Sequence, residues 1–207
     1  FFAVISFASF VGYTIAHKPV SLGAAIVFAI LALYTLYFFR DPERSAIASP
    51  GEAISAADGV VVDVSQVEAE GFEGGKALRI AVFMNVFNVH VNRASLAGSV
   101  VGTAHVPGKK LSAYNQRAEY ENEHGDTDMT TSFGFMRIRQ IAGLVARRVV
   151  TRVKAGDTLE RGAKIGLIRF GSRVDVFLPL TFEPAVTVGQ RVSAGETVIA
   201  KHRAAGQ

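Results

Sequence analysis

The 207-residue chain has no cysteine and no tryptophan, and only three methionines and six prolines. Without cysteine there is no disulfide, no thiol nucleophile and no thiolate metal site. The absence fits a reducing compartment. Acid is missing from the first forty residues, where Lys18 is the one formal charge before Arg40. Beyond residue 40 acids and bases nearly balance, for a net charge of +4. That is too weak a bias for a nucleic-acid binder, so no nucleic acid is expected as a partner. A mild attraction to anionic lipid remains compatible with it. The chain begins at Phe1 rather than methionine, which points to a trimmed start.

What fills the uncharged end is hydrocarbon. Val20–Phe39 is an unbroken apolar run, about 30 Å long as a helix and so about the thickness of a bilayer core. Tyr34 and Tyr37 suit the headgroup level, and Arg40 and Arg44 follow just outside. A second apolar run, Phe1–Ala16, precedes it across the turn His17-Lys18-Pro19. The expectation is a helical hairpin over residues 1–39 that anchors the chain by spanning or dipping into a membrane. The two arginines put the remainder, 40–207, on the cytoplasmic side. A cleaved signal peptide fits less well, because a second long apolar run follows and no small-residue cleavage site precedes Arg40. A buried core helix is the plain alternative.

After residue 45 the pattern turns to β. Segments 59–67, 77–84, 88–93, 98–106, 133–141, 146–153, 163–170 and 173–179 are short, rich in Val and Ile, and bounded by Gly, Pro, Asn or Asp. The fold class expected is mainly β, a compact barrel or sandwich of short antiparallel strands behind the helical hairpin. There is an internal echo as well. "VKAGDTLERGAKI" (153–165) and "VTVGQRVSAGETV" (186–198) share glycines at fixed offsets, as tight turns require. They resemble the hairpins of biotinyl and lipoyl carrier domains, but no lysine has the context those carriers modify, so the echo reads as scaffold. The polar stretch 109–128 reads as a long loop, functional or simply exposed.

Three places offer chemistry. Asp58-Gly59 opens a strand, and such pairs are most often turns. His90 lies in "NVHVNR", where alternation puts it with Met84, Val86, Asn88 and Asn92 on one strand face; a strand histidine is usually structural. Gly171-Ser172 interrupts "RFGSRVDVFLP", and a glycine inside a β run is usually a bulge. The sharper reading is that Ser172 Oγ attacks the Gly171 carbonyl through a five-membered ring, moving the acyl group from nitrogen to oxygen. That needs a base and oxyanion donors, and Asp58 and His90 are the partners if the fold gathers them.

In order, "YFFRDPER", "SAADGVVV", "FMNVFNVHVNR", "VPGKKLSAYN" and "RFGSRVDVFLP" resemble the bacterial phosphatidylserine decarboxylases, most closely the short membrane-anchored form. The resemblance covers the chain from about residue 20. It implies a proenzyme that cuts itself between Gly171 and Ser172 into a β chain (1–171) and an α chain (172–207), which stay associated. Ser172 would become a pyruvoyl group, the self-generated cofactor, by way of an ester and dehydroalanine. Asp58 and His90 fall on the family's self-cleavage Asp and His, and no metal is implied. Two positions depart from common family patterns: Arg173 follows the serine where Thr or Ser is frequent, and Phe87 stands where some relatives carry a second histidine.

The implied reaction turns phosphatidylserine into phosphatidylethanolamine and CO2 through a Schiff base. A ketone in the chain would serve as the electron sink that pyridoxal phosphate otherwise supplies, with His90 as the acid that reprotonates carbon. The expected location is a bacterial inner membrane, catalytic domain inward, and a homodimer is compatible with it. For the headgroup phosphate, Arg40, Arg44, Lys109, Lys110 and Arg117 are candidates, with solvated charge the default for each. The competing classes are a membrane-tethered serine hydrolase built on Ser172, His90 and Asp58, and a non-enzymatic carrier or adaptor barrel.

Overall fold

The computed structural model describes residues 2–16, 19–45, 47–109, 111, 118–143, 148–168 and 171–203. The chain divides into two compact units, Phe1–Asp41 and Pro42–Gln207.

The first unit is a pair of helices, α1 (Phe2–Ala16) and α2 (Pro19–Phe38). Phe2 stacks on Phe28 with ring centroids 6.3 Å apart, and Ser6 Oγ donates to the Ala25 carbonyl at 2.8 Å. Side chains of α2 are described from Leu22 onward, and among the described residues no helix is long and apolar enough to cross a membrane. The turn residues His17 and Lys18 lie outside the described residues.

In the second unit the strands pair antiparallel. Its strands are β1 (Glu52–Ile54), β2 (Gly59–Glu68), β3 (Lys76–Met84), β4 (Val91–Arg93), β5 (Gly98–Val106), β6 (His124–Thr131), β7 (Gly134–Ile141), β8 (Val149–Thr151), β9 (Thr158–Leu159), β10 (Lys164–Ile168), β11 (Ser172–Leu178), β12 (Phe182–Pro184), β13 (Arg191–Val192) and β14 (Val198–His202). A short helix, α3 (Ala118–Glu121), precedes β6. Eight strands form a curled half-barrel in the order β13-β2-β3-β11-β7-β6-β5-β9, and two three-stranded sheets, β1-β14-β12 and β4-β10-β8, complete the unit. The fold class read from the sequence, mainly β with a helical pair in front, is the one observed.

The sheet order reads alike from either end, and the hydrogen bonds show why: the unit is two similar halves about a pseudo-dyad. Ile54 N donates to Ser95 O (3.0 Å) while Arg93 N donates to Ala56 O (2.9 Å), each half binding the other. Gly195 N to Ser55 O (2.9 Å) matches Gly162 N to Ala94 O (2.8 Å). Gly189 N to Val61 O (2.8 Å) matches Gly156 N to Val100 O (2.9 Å). The register shifts in β2 and β5 fall at matching places, Val61/Asp63 and Val100/Gly102. The echo at 153–165 and 186–198 is therefore the same turn–strand–turn–strand hairpin, β9–β10 in one half and β13–β14 in the other.

Alternation sorts each strand of the half-barrel into two faces. In β11, Val174, Val176 and Leu178 enter the main core with Ile80, Val82 and Ile138, while Phe177 packs with Phe72 and Ala77 on the other face. That second face carries charge: Arg137 on Asp128 (2.6 Å), Arg139 on Asp126 (2.8 Å), Arg79 on Asp63 (2.9 Å).

Two sequence expectations are corrected. The strand placed at 88–93 begins only at Val91, because Asn85 and Asn88 close a turn: Asn85 N donates to Asn88 Oδ1 and Phe87 N to Asn85 Oδ1, both at 2.9 Å. The loop placed at 109–128 contains β6 from His124, whose acids read as loop until β7 supplies their arginines. The middle of that stretch, with Lys110 and Arg117, lies outside the described residues.

Candidate active site

The pairing register brings three chain segments to one end of the half-barrel. Val60, Phe83 and Arg173 face one another across β2, β3 and β11, and Ser172 faces Met84. The start of β2, the end of β3 and the start of β11 therefore coincide. Asp58, just before β2, lies two strands from Ser172, about 10 Å in the hydrogen-bonding direction. The third segment is the turn after β3. It returns the chain to His90, whose carbonyl accepts from Ile168 N at 3.3 Å. Ile168 is three residues before Gly171, a link of at most about 11 Å.

Each candidate has its own setting. Gly171 has φ +46°, and a Cβ there would meet nothing within 4 Å; the left-handed backbone is what glycine permits cheaply. Ser172 is 0 % exposed, and its Oγ has no hydrogen-bond partner among the described residues. A buried hydroxyl left without a partner costs free energy, so this one calls for a chemical reason.

His90 is buried, with Nδ1 2.9 Å from the Asn88 carbonyl. A carbonyl can only accept, so Nδ1 carries the proton. In the neutral ring Nε2 then holds the basic lone pair. The sequence expected a strand to hold this ring. A turn carbonyl does it instead, and the signal for that was the Asn85/Asn88 spacing.

Asp58 is engaged at both oxygens: Oδ1 accepts from Ala194 N at 2.8 Å, and Oδ2 meets Arg44 at 3.1 Å. Among the described residues it makes no hydrogen bond to His90. Arg44 also binds Glu196 at 2.8 Å. It was read as a phosphate candidate, and its role as the partner of Asp58 was missed. Nothing local in "RDPER" announces a partner fourteen residues on. Of the other cations, Lys109 pairs with Glu121 at 2.8 Å and Arg40 lies over the Tyr37 ring at 3.8 Å. Phe87 is exposed.

On the opposite face, directly behind Ser172, Arg173 is 3 % exposed and binds Asp175 through Nε and Nη2 at 2.6 Å each. Burial pushes the Asp175 carboxyl above its ordinary value, against the pull of the Arg173 guanidinium.

A cavity of about 750 Å³ lies elsewhere. Phe133, Gly134, Phe135, Pro179 and His202 help line it, at the far end of β11. The register explains its place. Ser99, Thr130 and Phe135 form the row equivalent to Val60, Phe83 and Arg173, so Gly134 occupies the position that Ser172 has in the other half. The cavity is the pseudo-dyad mate of the candidate site, without its hydroxyl.

Comparison with known proteins adds the family. Residues 31–200 match the family model for phosphatidylserine decarboxylase. The phosphatidylserine decarboxylase proenzyme of Oleidesulfovibrio alaskensis is 48% identical over 177 residues, covering 85% of this chain and 81% of its own. The proenzyme of Desulfotalea psychrophila is 43% identical over 196 residues (94% and 91%), and that of Ralstonia nicotianae 45% over 193 (93% and 89%).

Proposed function

The chain belongs to the phosphatidylserine decarboxylase family, and from that premise we propose that it cuts itself between Gly171 and Ser172 and then decarboxylates phosphatidylserine to phosphatidylethanolamine. The observation that carries the reading is the junction itself: a left-handed glycine followed by a fully buried, unpartnered serine hydroxyl at the start of a central strand.

The chain parts when an ester at residue 172 eliminates, losing its Cα proton and breaking Cβ–Oγ to free the Gly171 carboxylate, and the dehydroalanine left behind takes up water and releases ammonia to give the ketone. The ester forms first: Ser172 Oγ bonds to the Gly171 carbonyl carbon, the C–N bond breaks, and the hydroxyl proton ends on the nitrogen of residue 172. His90 is the base for that proton, through Nε2, since the Asn88 carbonyl keeps the other nitrogen protonated. Asp58 is tied to Arg44 and the Ala194 amide at this end of the sheet. The site suits a pyruvoyl group: residue 172 would hold it, covalently, in the buried position of the orphan hydroxyl. Its ketone supplies the electron sink for decarboxylation. His90 would then return a proton to the substrate carbon.

The two fragments should remain together, because β11 pairs on both sides with strands of the larger fragment and all seven of its residues are buried. The helical pair fits a tether that keeps the enzyme beside a lipid substrate in the bacterial inner membrane, with the β unit inward.

Intact mass under denaturing conditions tests the cut. Two pieces split at 172, the smaller with a blocked N-terminus, are expected. A single 22.1 kDa chain with an ordinary Ser172 in active material would end the proposal. Removal of residues 1–41 should free the protein from the membrane fraction while cleavage continues.

A further inference from the structure

The scissile junction is open around Gly171 and clamped on its other side. Upstream, Gly171 has open space about it. Downstream, Ser172 pairs with β3 alone, and Arg173 is the first residue of β11 paired on both sides, to Phe83 and Ile141. Alternation turns Ser172 inward and the Arg173 side chain outward, where Asp175 grips it. Its Nη2 is also 3.7 Å from Glu119 Oε2, from α3. Glu119 in turn binds Arg79 of β3, which holds Asp63 of β2 at 2.9 Å. Arg173, Asp175 and Glu119 are all at least 95 % buried.

An ion cluster so deep in the protein is a poor source of stability, because desolvation offsets its attraction. What it supplies is geometry: a planar guanidinium gripped at two nitrogens has little freedom to turn.

We infer that Arg173, locked by Asp175 and Glu119, is a positioning residue for maturation. It fixes the first residue after the scissile bond that is paired on both sides, so that the Gly171–Ser172 peptide is presented to the serine hydroxyl in one arrangement. After the cut, the same lock holds the new chain end at 172 in place. Glu119 extends the lock to α3. The inference rests on the self-cleavage reading above.

The test follows the loss of full-length chain with time on denaturing gels, with melting temperatures measured separately in a Ser172→Ala background. Arg173→Lys keeps the charge and loses the fork. The double change Arg173→Met with Asp175→Leu removes the pair and leaves apolar groups, an exchange that often preserves stability. Arg137→Lys, on the same sheet face in the half without the serine, weakens an ion pair away from the cut. Cleavage slowed about tenfold or more in the first two, with Arg137→Lys cutting at the parent rate, is the expected result. Parent-like cleavage in Arg173→Lys overturns the inference, and so does equal slowing by Arg137→Lys, which would trace the effect to general stability. A parent chain that never cuts removes the self-cleavage reading itself, and this inference with it.

Discussion

The two halves of the β unit share a backbone plan and differ in chemistry. "SAADG" (55–59) and "ASLAG" (94–98) make the same crossing, and each leads into a strand with its register shift at the matching place. Yet Asp58 in one half is answered by Ala97 in the other, and Ser172 by Gly134. His90, whose carbonyl takes the Ile168 amide, is answered by Gly51, whose carbonyl takes the His202 amide at 2.8 Å. Asp58 and Ser172 belong to one half and His90 to the other, and small residues stand at all three equivalent places. Scaffold and chemistry are therefore separable here, and paired substitutions can separate them.

The largest contrast concerns two buried hydroxyls. Ser172 Oγ and Ser95 Oγ both lack a hydrogen-bond partner among the described residues. Ser172→Ala should abolish the cut, leaving one 22.1 kDa chain at all times on a denaturing gel. Ser95→Ala should cut at the parent rate with unchanged or slightly raised stability, since it removes an unsatisfied group. Equal effects of the two would mean the hydroxyl at 172 has no special role.

Next comes the carboxylate. Asp58→Ala removes a charge from the candidate site, and fragment formation should slow by about a hundredfold, the scale of a lost acid–base contribution. Ala97→Asp puts a carboxylate at the equivalent exposed place and should leave the rate alone. If Asp58→Ala matures normally, Asp58 only ties Arg44 and Ala194 together.

The frame itself should respond equally in both halves. A Cβ on Gly59 would lie 2.0 Å from the Phe83 carbonyl oxygen, and one on Gly98 would lie 2.4 Å from that of Thr130. Neither backbone can step aside easily. Gly59→Ala and Gly98→Ala should each cost about 1–3 kcal/mol in denaturant unfolding of the Ser172→Ala protein. A large cost in one half alone would show that the two crossings are not mechanically equivalent.

How much of this was legible beforehand follows from the range of each signal. β2, β3, β5 and β11 announce themselves by Val and Ile at period two, and Gly59 and Gly171 mark their starts. The hairpin echo was visible because its glycines sit at fixed offsets. The dyad was not, since "SAADG" and "ASLAG" share little except their last residue and backbone course. β6 was hidden because Asp126 and Asp128 look like loop until Arg139 and Arg137 are set beside them. The candidates Asp58, His90 and Ser172 came through the ordered resemblance, which compresses long-range contacts into local motifs. Arg44, Glu119 and Asp175 have no such motif, and only the fold delivers them.

The smallest expected effect lies on the outer face of the sheet. Asp175 occupies the register position that Arg137 has in the other half. Burial raises the Asp175 carboxyl above its ordinary 3.8, while the contact with Asp128 holds Arg137 more firmly cationic. Only the half with the serine should therefore titrate here in acid. For a carboxyl raised in the folded state, the unfolded chain gives up its proton first as pH rises. Its contribution to stability is full below the unfolded value near 3.8 and is lost as pH climbs through the folded value. Asp175→Asn cannot titrate. In the Ser172→Ala background, the stability of the parent relative to Asp175→Asn should thus grow as pH falls from 7 toward 4, by about 1.4 kcal/mol for each unit of displacement. Glu119 meets the same Arg173, so the comparison is repeated in a Glu119→Gln background to assign the slope to Asp175. Arg137→Lys should give a difference from the parent that is flat over the same range. A parent advantage that shrinks on acidification would mean the Arg173 guanidinium outweighs burial and keeps Asp175 ionised in the fold. The charged clamp behind the scissile bond would then hold to lower pH.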